Sequence, residues 1–273
     1  MEMNRHGETM MGDATVELYA DDGGAGDGLP VVLLHSLAGN TRQWEAQLAH
    51  LRAARRAVAL DWRGHGRSGA PEGGGWSPAE MAGDVAAAVE RLGLGRFVLV
   101  GHSAGALVAL AYAGMRPERV AGLLLLDPSG DMRRLPREMI DPFLAALEGD
   151  GYRERIEGYW DGIVGADPAV RARLMADLRA TPKSTVAGIF RALATADVEA
   201  LLRGYTGPRI SITTPQNDGP ISLHNLDASL PHQVVTGTGH WIHLDRPGEF
   251  NRMLDDFIAS VESGRPGTGS GAA

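Results

Sequence analysis

The sequence predicts a single α/β domain built on a mostly parallel central sheet, with helices on both faces and an inserted helical block. Three observations predict it. Short runs of consecutive apolar residues alternate with stretches of helical periodicity, the pattern of strands buried on both faces. The alternation stops near residue 130 and resumes near 206, and the intervening stretch of roughly 70 residues is helical and too long for an ordinary loop. The chain has 273 residues, enough for one large core without a second full domain.

The elements follow in order. A Gly/Asp cluster over 21–28 reads as a turn. Val31-Val32-Leu33-Leu34 reads as a buried strand, and 41–51 as a helix with Trp44, Leu48 and Leu51 on one face. Residues 56–60 form the next strand. The segment 77–92 reads as a helix with Ser77 as its N-cap, Pro78 at the first helical position and Glu80 three residues after the cap. Strands follow at 97–100 and 120–126, separated by an Ala-rich helix at 104–115. The helical block occupies 131–205 and reads as a lid. Beyond it come a strand at 209–213, a helix near 221–230, a last strand at 232–236 and a last helix at 247–261. The core domain is therefore expected over 13–130 and 206–262. The Gly/Ser/Pro/Thr-rich stretch 263–273 reads as a disordered tail.

Composition removes several classes of function. There is no cysteine, which excludes a disulfide framework, a thiolate nucleophile and a Cys-ligated zinc site. The formal charge of −8 opposes the positive footprint that nucleic-acid binding needs. Lys183 is the only lysine, so it alone could serve a P-loop or a Schiff base. The polar start, Met1 to Gly12, has no apolar signal-peptide core, and no run of about 18 apolar residues exists to span a membrane. These features give the expectation of a cytoplasmic protein with no membrane partner.

Gly101-His102-Ser103-Ala104-Gly105 fits G-x-S-x-G directly after an apolar strand and directly before a helix, the context the motif requires. The chain must turn sharply there. The two glycines leave room where a β-carbon would strike neighbouring backbone, and the serine hydroxyl is exposed at the carboxyl end of the sheet. The N–H of Ala104, at the helix start, can face an oxyanion.

With this motif in place the chain resembles the α/β-hydrolase superfamily, in particular its lidded esterases, lactonases, perhydrolases and carbon–carbon bond hydrolases. The resemblance runs from about Val31 to Ile258 and includes His35-Ser36-Leu37, the segment Asp61-Trp62-Arg63-Gly64-His65-Gly66-Arg67-Ser68, and Gly239-His240. It implies Ser103 as nucleophile and His240, on the loop after the last strand, as general base. It also implies the N–H of Leu37 as second oxyanion donor. Ser36 stands where the family usually has glycine and is a candidate substrate contact, as is Trp241 at the site mouth.

The acid is a choice between two aspartates. Asp218 is favoured by its position after the strand 209–213. The commonest family register puts the acid one place earlier, at Asn217, and the family often has glycine where Thr214 stands. Asp127, which ends the strand 120–126, is the runner-up, because some members keep the acid there.

Two patterns are decoys. Gly64-His65-Gly66-Arg67-Ser68-Gly69 fits G-x-G-x-x-G with Asp84 about 20 residues on, but Pro71 and Gly73-Gly74-Gly75 prevent the helix a dinucleotide site needs. His240 and His243 lack a carboxylate at helical spacing to complete a metal site. The lid residues Phe143, Tyr152, Tyr159, Trp160, Ile163, Met175 and Phe190 could line an acyl pocket, or simply pack the lid on the core. The expected reaction is hydrolysis of a small or medium carboxylic ester or lactone without cofactor or metal. Carbon–carbon hydrolases and perhydrolases use the same triad. A ligand-binding protein that keeps the fold is the alternative from another class, and its mark would be a broken triad.

Overall fold

A computed structural model describes residues 15–71 and 73–264. The segment Met1 to Gly12 and all but the first two residues of the expected tail lie outside the described residues. The core begins with β1 (Ala20–Gly23), β2 (Val31–Leu34), a 3-10 turn (Thr41–Trp44) running into α1 (Glu45–Leu51), and β3 (Ala57–Leu60). It continues with α2 (Pro78–Arg91), β4 (Phe97–His102), α3 (Ala104–Met115) and β5 (Val120–Leu126). The helical block is α4 (Arg137–Glu148), α5 (Tyr152–Ile163), α6 (Pro168–Ala180), α7 (Lys183–Thr195) and α8 (Val198–Arg203). The chain then forms β6 (Arg209–Thr213), α9 (Leu223–Leu226), β7 (His232–Val234), α10 (Ile242–Asp245) and α11 (Pro247–Glu262).

The strands make one sheet in the order β1-β3-β2-β4-β5-β6-β7, parallel except for the antiparallel β1–β3 pair. Period-2 alternation sends Val32, Leu34, Val58, Leu60 and Leu99 to the face covered by α2 and α3. Val31, Leu33, Ala57, Ala59, Val98 and Val100 face α1 and α11. Both faces are covered, so the inner strands β2, β3 and β5 are continuously apolar rather than alternating. α3 is buried on every side from Ala104 to Ala113, which is why its sequence carries no polar stripe. α11 is amphipathic and lays Phe250, Leu254, Phe257 and Ile258 on the sheet, where Phe250→Ala would cost about 3–5 kcal/mol.

The Ser77 cap forms as the sequence predicts. Its hydroxyl accepts from Glu80 N while Glu80 reaches back to the Ser77 N–H, with Pro78 in the first turn. Two expectations are corrected. Asp21–Gly23 belong to β1, and the turn is confined to 24–28. The edge strand needs only backbone pairing, and Asp21 and Asp22 find partners in Arg52 at 2.8 Å and Arg56 at 2.7 Å. The helix expected near 221–230 is only α9. Asp227 stops it by turning its carboxylate onto Ser229 N at 2.9 Å and Ser229 Oγ at 2.6 Å. Among the described residues no helix is long and apolar enough to cross a membrane.

All the parallel strands point their carboxyl ends the same way. Ser36 and Leu37 follow β2, Ser103 follows β4, Asp127 follows β5, Thr214 follows β6 and His240 follows β7. One edge of the sheet therefore gathers residues far apart in sequence, as expected for ligand sites of open α/β sheets.

Candidate active site

Ser103 sits between β4 and α3 with φ 57° and ψ −121°. Among the described residues only Ala38 (φ 56°), Ser103 and Asp127 (φ 39°) are non-glycine residues with positive φ, and all three follow carboxyl ends of neighbouring central strands. Such conformations cost about 1–3 kcal/mol each and persist only where the surroundings over-determine them. At the elbow the surroundings are backbone. A β-carbon on Gly101 would collide with Gly105 O and Ala106 Cα, and one on Gly105 would collide with His35 O. Ser103 N donates to Leu126 O at 2.9 Å, which ties the elbow to β5. The Ser103 side chain is half-buried, and its hydroxyl has no hydrogen-bond partner among the described residues.

The loop after β2 faces the elbow. Ala38 N donates to His65 Nε2 at 3.0 Å, and Gly39 N donates to Ser36 O at 3.0 Å. The N–H groups of Leu37 and Ala104 have no partner among the described residues. His65 is thus a clamp on the loop. Its Nδ1–H donates to Arg63 O at 2.9 Å, which leaves Nε2 free to accept, and burial pushes its pKa down to about 4, keeping it neutral. His35 is held in the same way. Its Nδ1 donates to Ser36 O at 2.7 Å, its ring stacks on Trp62 with centroids 4.7 Å apart, and burial drives its pKa well below 6.5.

His240 approaches Asp127, not Asp218. Asp127 Oδ2 lies 2.5 Å from His240 Nδ1, and the carboxylate is fully buried. An ionised carboxylate only accepts, so the proton is on Nδ1 and Nε2 carries a bare lone pair. The rest of the carboxylate is equally well held. Oδ1 accepts from Thr214 N at 2.7 Å and Thr213 Oγ1 at 3.1 Å, and the Thr214 hydroxyl lies 3.1 Å from both oxygens. Asn217 Nδ2 donates to Oδ2 at 2.9 Å. The same nitrogen is 3.3 Å from His240 Nδ1, a contact between two donors rather than a bond. Asp218 is instead paired with His224 Nε2 at 2.9 Å, with its side chain 39% exposed. The turn after β6, in which Asn217 N donates to Thr214 O at 3.0 Å, presents Asn217 towards His240 and turns Asp218 to α9. The position that the commonest family register assigns to the acid, Asn217, lies beside His240; the side chain there is an amide, and it donates to the aspartate that follows the neighbouring strand.

His240 is held by its own backbone as well. Its N–H donates to Ile163 O at the end of α5, 2.9 Å away, and its carbonyl accepts from His102 Nε2 at 2.9 Å. A β-carbon on Gly239 would collide with the backbone of Val164 and Gly165, so the loop after β7 lies directly against the end of α5. The His102 ring packs against that of His240, centroids 4.7 Å apart. Burial first, then His240 and His243, keep it neutral. His243 is stacked on Trp44 at 4.2 Å, fully buried, with its pKa pushed down to about 3. Among the described residues no group of three or more His, Cys, Asp or Glu side chains is placed to hold a metal ion.

Two expected substrate contacts are placed differently. Trp241 is 1% exposed and so lies below the surface rather than at the mouth; its edge faces His240 at 4.9 Å and its Nε1 donates to Ser36 Oγ at 3.1 Å. The Ser36 hydroxyl is buried and already engaged. In the helical block Trp160, Met175 and Phe190 are buried in the core cluster, which is the packing role. Tyr159 differs. Its ring packs on Phe143 and Phe190 while the residue is 42% exposed, and burial, followed by the charge of Asp127, raises the pKa of its phenol. The decoy glycines form no helix, and Asp84 is committed to a buried pair with Arg63 at 2.5 Å.

A family model described as alpha/beta hydrolase fold matches residues 30–203. A protein of Variovorax paradoxus (strain S110) named "Putative carbamate hydrolase RutD" is 30% identical, covering 90% of this chain and 97% of its own. The sn-1-specific diacylglycerol lipase ABHD11 of Mus musculus is 28% identical, covering 84% of this chain and 80% of its own. Among solved structures, Est816, described as an N-acyl homoserine lactone degrading enzyme, superposes with a TM-score of 0.75 at 28% identity, covering 88% of this chain and 96% of its own.

Proposed function

The chain belongs to the α/β-hydrolase family, and from that premise we propose that it is a serine hydrolase cleaving small or medium carboxylic esters or lactones through an acyl-enzyme. One observation carries the reading: a buried carboxylate with five polar groups around it, Asp127, fixes the His240 tautomer, and an elbow serine held at positive φ follows the strand next to that of Asp127. His240 Nε2 takes the Ser103 proton as Oγ attacks the carbonyl carbon. The N–H groups of Leu37 and Ala104 receive the oxyanion. The imidazolium returns its proton to the leaving alkoxide, which for a lactone becomes the hydroxyl of the ring-opened chain. Water, deprotonated by the same nitrogen, then releases the acid and regenerates Ser103. The helical block acts as a lid over this end of the sheet. The names of the relatives, which include a lipase and a lactone-degrading enzyme, support the ester or lactone bond as the target.

The test is labelling with a fluorophosphonate and peptide mapping of the adduct, followed by a panel of nitrophenyl esters of graded chain length and a panel of acyl lactones. A Ser103 adduct with turnover that Ser103→Ala abolishes is the expected result. Absence of an adduct on folded protein would overturn the reading.

A further inference from the structure

A buried chain of hydrogen bonds runs from the helical block to both loops of the site. Trp241 Nε1 donates to Ser36 Oγ at 3.1 Å. Ser36 Oγ is 3.4 Å from Gln43 Oε1, and Gln43 Nε2 is 3.3 Å from Asp177 Oδ2 on α6. All four side chains are buried, none more than 5% exposed. The direction of the chain follows from its ends. The indole can only donate, and the carboxylate can only accept. Gln43 must therefore present its nitrogen to Asp177 and its oxygen to Ser36. The Ser36 proton then goes to Gln43, because turning it to Leu37 O, 3.3 Å away, would leave the buried Gln43 oxygen unpaired. Every dipole points towards the Asp177 anion, and bonds aligned in this way polarise one another. Gly39 makes room for the chain, since a β-carbon there would press on Gln43 Oε1 and Ser36 O.

The chain touches the site twice. Ser36 precedes Leu37, whose N–H is one proposed oxyanion donor, and Trp241 follows His240. We infer that Asp177 is a positioning residue for this reaction: through Gln43 and Ser36 it holds the oxyanion loop and the His240 loop in register with the seated helical block. The inference rests on the proposed serine hydrolysis. It also reassigns Ser36. With its proton directed to Gln43 and its lone pair taken by Trp241, the hydroxyl holds the loop and gives nothing to the oxyanion. The helical block thereby reaches the machinery from two sides, through the Asp177 side chain on α6 and through the Ile163 carbonyl on α5.

Asp177→Ala, Asp177→Asn, Ser36→Ala and Arg42→Ala in the full chain test this. Asp177→Ala is expected to lower kcat about 10-fold with KM within about twofold, because the chain orders groups that act in the transition state. Asp177→Asn keeps an oxygen for Gln43 and should recover kcat to within about threefold of the parent. Ser36→Ala cuts the chain at its middle and should match Asp177→Ala. Arg42, exposed and paired with Asp177 at 3.1 Å, lies off the chain, and Arg42→Ala should change kcat by less than about twofold. The second readout is independent of activity: hydrogen exchange of the Trp241 indole proton, assigned with Trp241→Phe, should accelerate in Asp177→Ala and return in Asp177→Asn. Unchanged kcat in Asp177→Ala, equal losses in Asp177→Ala and Asp177→Asn, or an indole exchange rate indifferent to Asp177 would each overturn the inference. If the parent turns over no ester and Ser103 takes no label, the proposed function fails; the indole exchange still reports on the chain itself.

Discussion

Asp127 and Asp218 follow neighbouring strands of one sheet, and each has a histidine within 2.9 Å. Their surroundings are opposite. Asp127 is sealed under the site, with Thr213, Thr214, Asn217 and His240 on its two oxygens. Asp218 stands on an outward turn with its side chain 39% exposed, against a histidine that belongs to a four-residue helix. A carboxylate orients a base only if it is itself immobile and water does not compete for it. Burial with every lone pair occupied supplies that condition at Asp127, and a turn open to solvent does not supply it at Asp218.

The sharpest way to break this comparison is to exchange the carboxylates for amides. Asp127→Asn should lower kcat by about 10³–10⁴, since an amide at that point stabilises the wrong tautomer of His240 and cannot hold the imidazolium. Full activity in Asp127→Asn, measured on the best nitrophenyl ester, would return the role to Asp218 or to another group.

Acid tests the floor of the same region. His65 and His243 have folded pKa values of about 4 and about 3, against 6.5 when exposed, because burial penalises the charged ring. The unfolded chain therefore binds these protons first. The stability contributed by the neutral rings is complete above pH 6.5 and is lost as pH falls, down to about 4 for His65 and about 3 for His243. At pH 5 each ring accounts for about 2 kcal/mol of that loss. Urea unfolding should show a clearly lower midpoint at pH 5 than at pH 7, and His243→Leu should reduce the difference. Equal midpoints would contradict the neutral, buried assignment.

The third test moves the carboxylate. Asn217 is 2.9 Å from Asp127 Oδ2 and 3.3 Å from His240 Nδ1, so Asn217→Asp puts an acid within reach of the base from the other strand. In the Asp127→Asn background it should restore about 10- to 100-fold of the lost kcat. No recovery would mean that the Thr213 and Thr214 donors, which stay with position 127, are needed as much as the charge. The smallest effect is expected at Asp218→Asn, with kcat within about threefold of the parent and only His224 losing a partner.

The two aspartates also show what could be read from the residues alone. The elbow at Ser103 was legible because strand, elbow and helix are adjacent in sequence and the constraint is steric, carried by Gly101 and Gly105. The place of His240 was legible because a small-residue loop between β7 and α10 presents one histidine. Which aspartate meets His240 depends on which of two parallel strands reaches it, and that is a property of sheet order and turn register. The signal was present in the two departures near it. Thr214 in place of glycine and Asn217 in place of an acid look like damage when read along β6. In space both are donors to Asp127. The Gln43–Ser36 link was equally hidden, because its partners lie 134 and 205 residues away.

The close backbone contact between Gly239 and Gly165 has a consequence for recombination. The end of α5 supplies the acceptor for the His240 N–H, so the helical block is not a removable cap on a finished machine. A chimera that exchanges the whole block with that of a relative trades away part of the support of His240. The crossover that preserves it keeps 163–165 with the parent core, or imports a donor whose residue matching position 165 is also glycine. Any side chain there would collide with Asp245, which itself accepts from Gly239 N at 2.7 Å, and the strain would pass directly into the loop that carries His240.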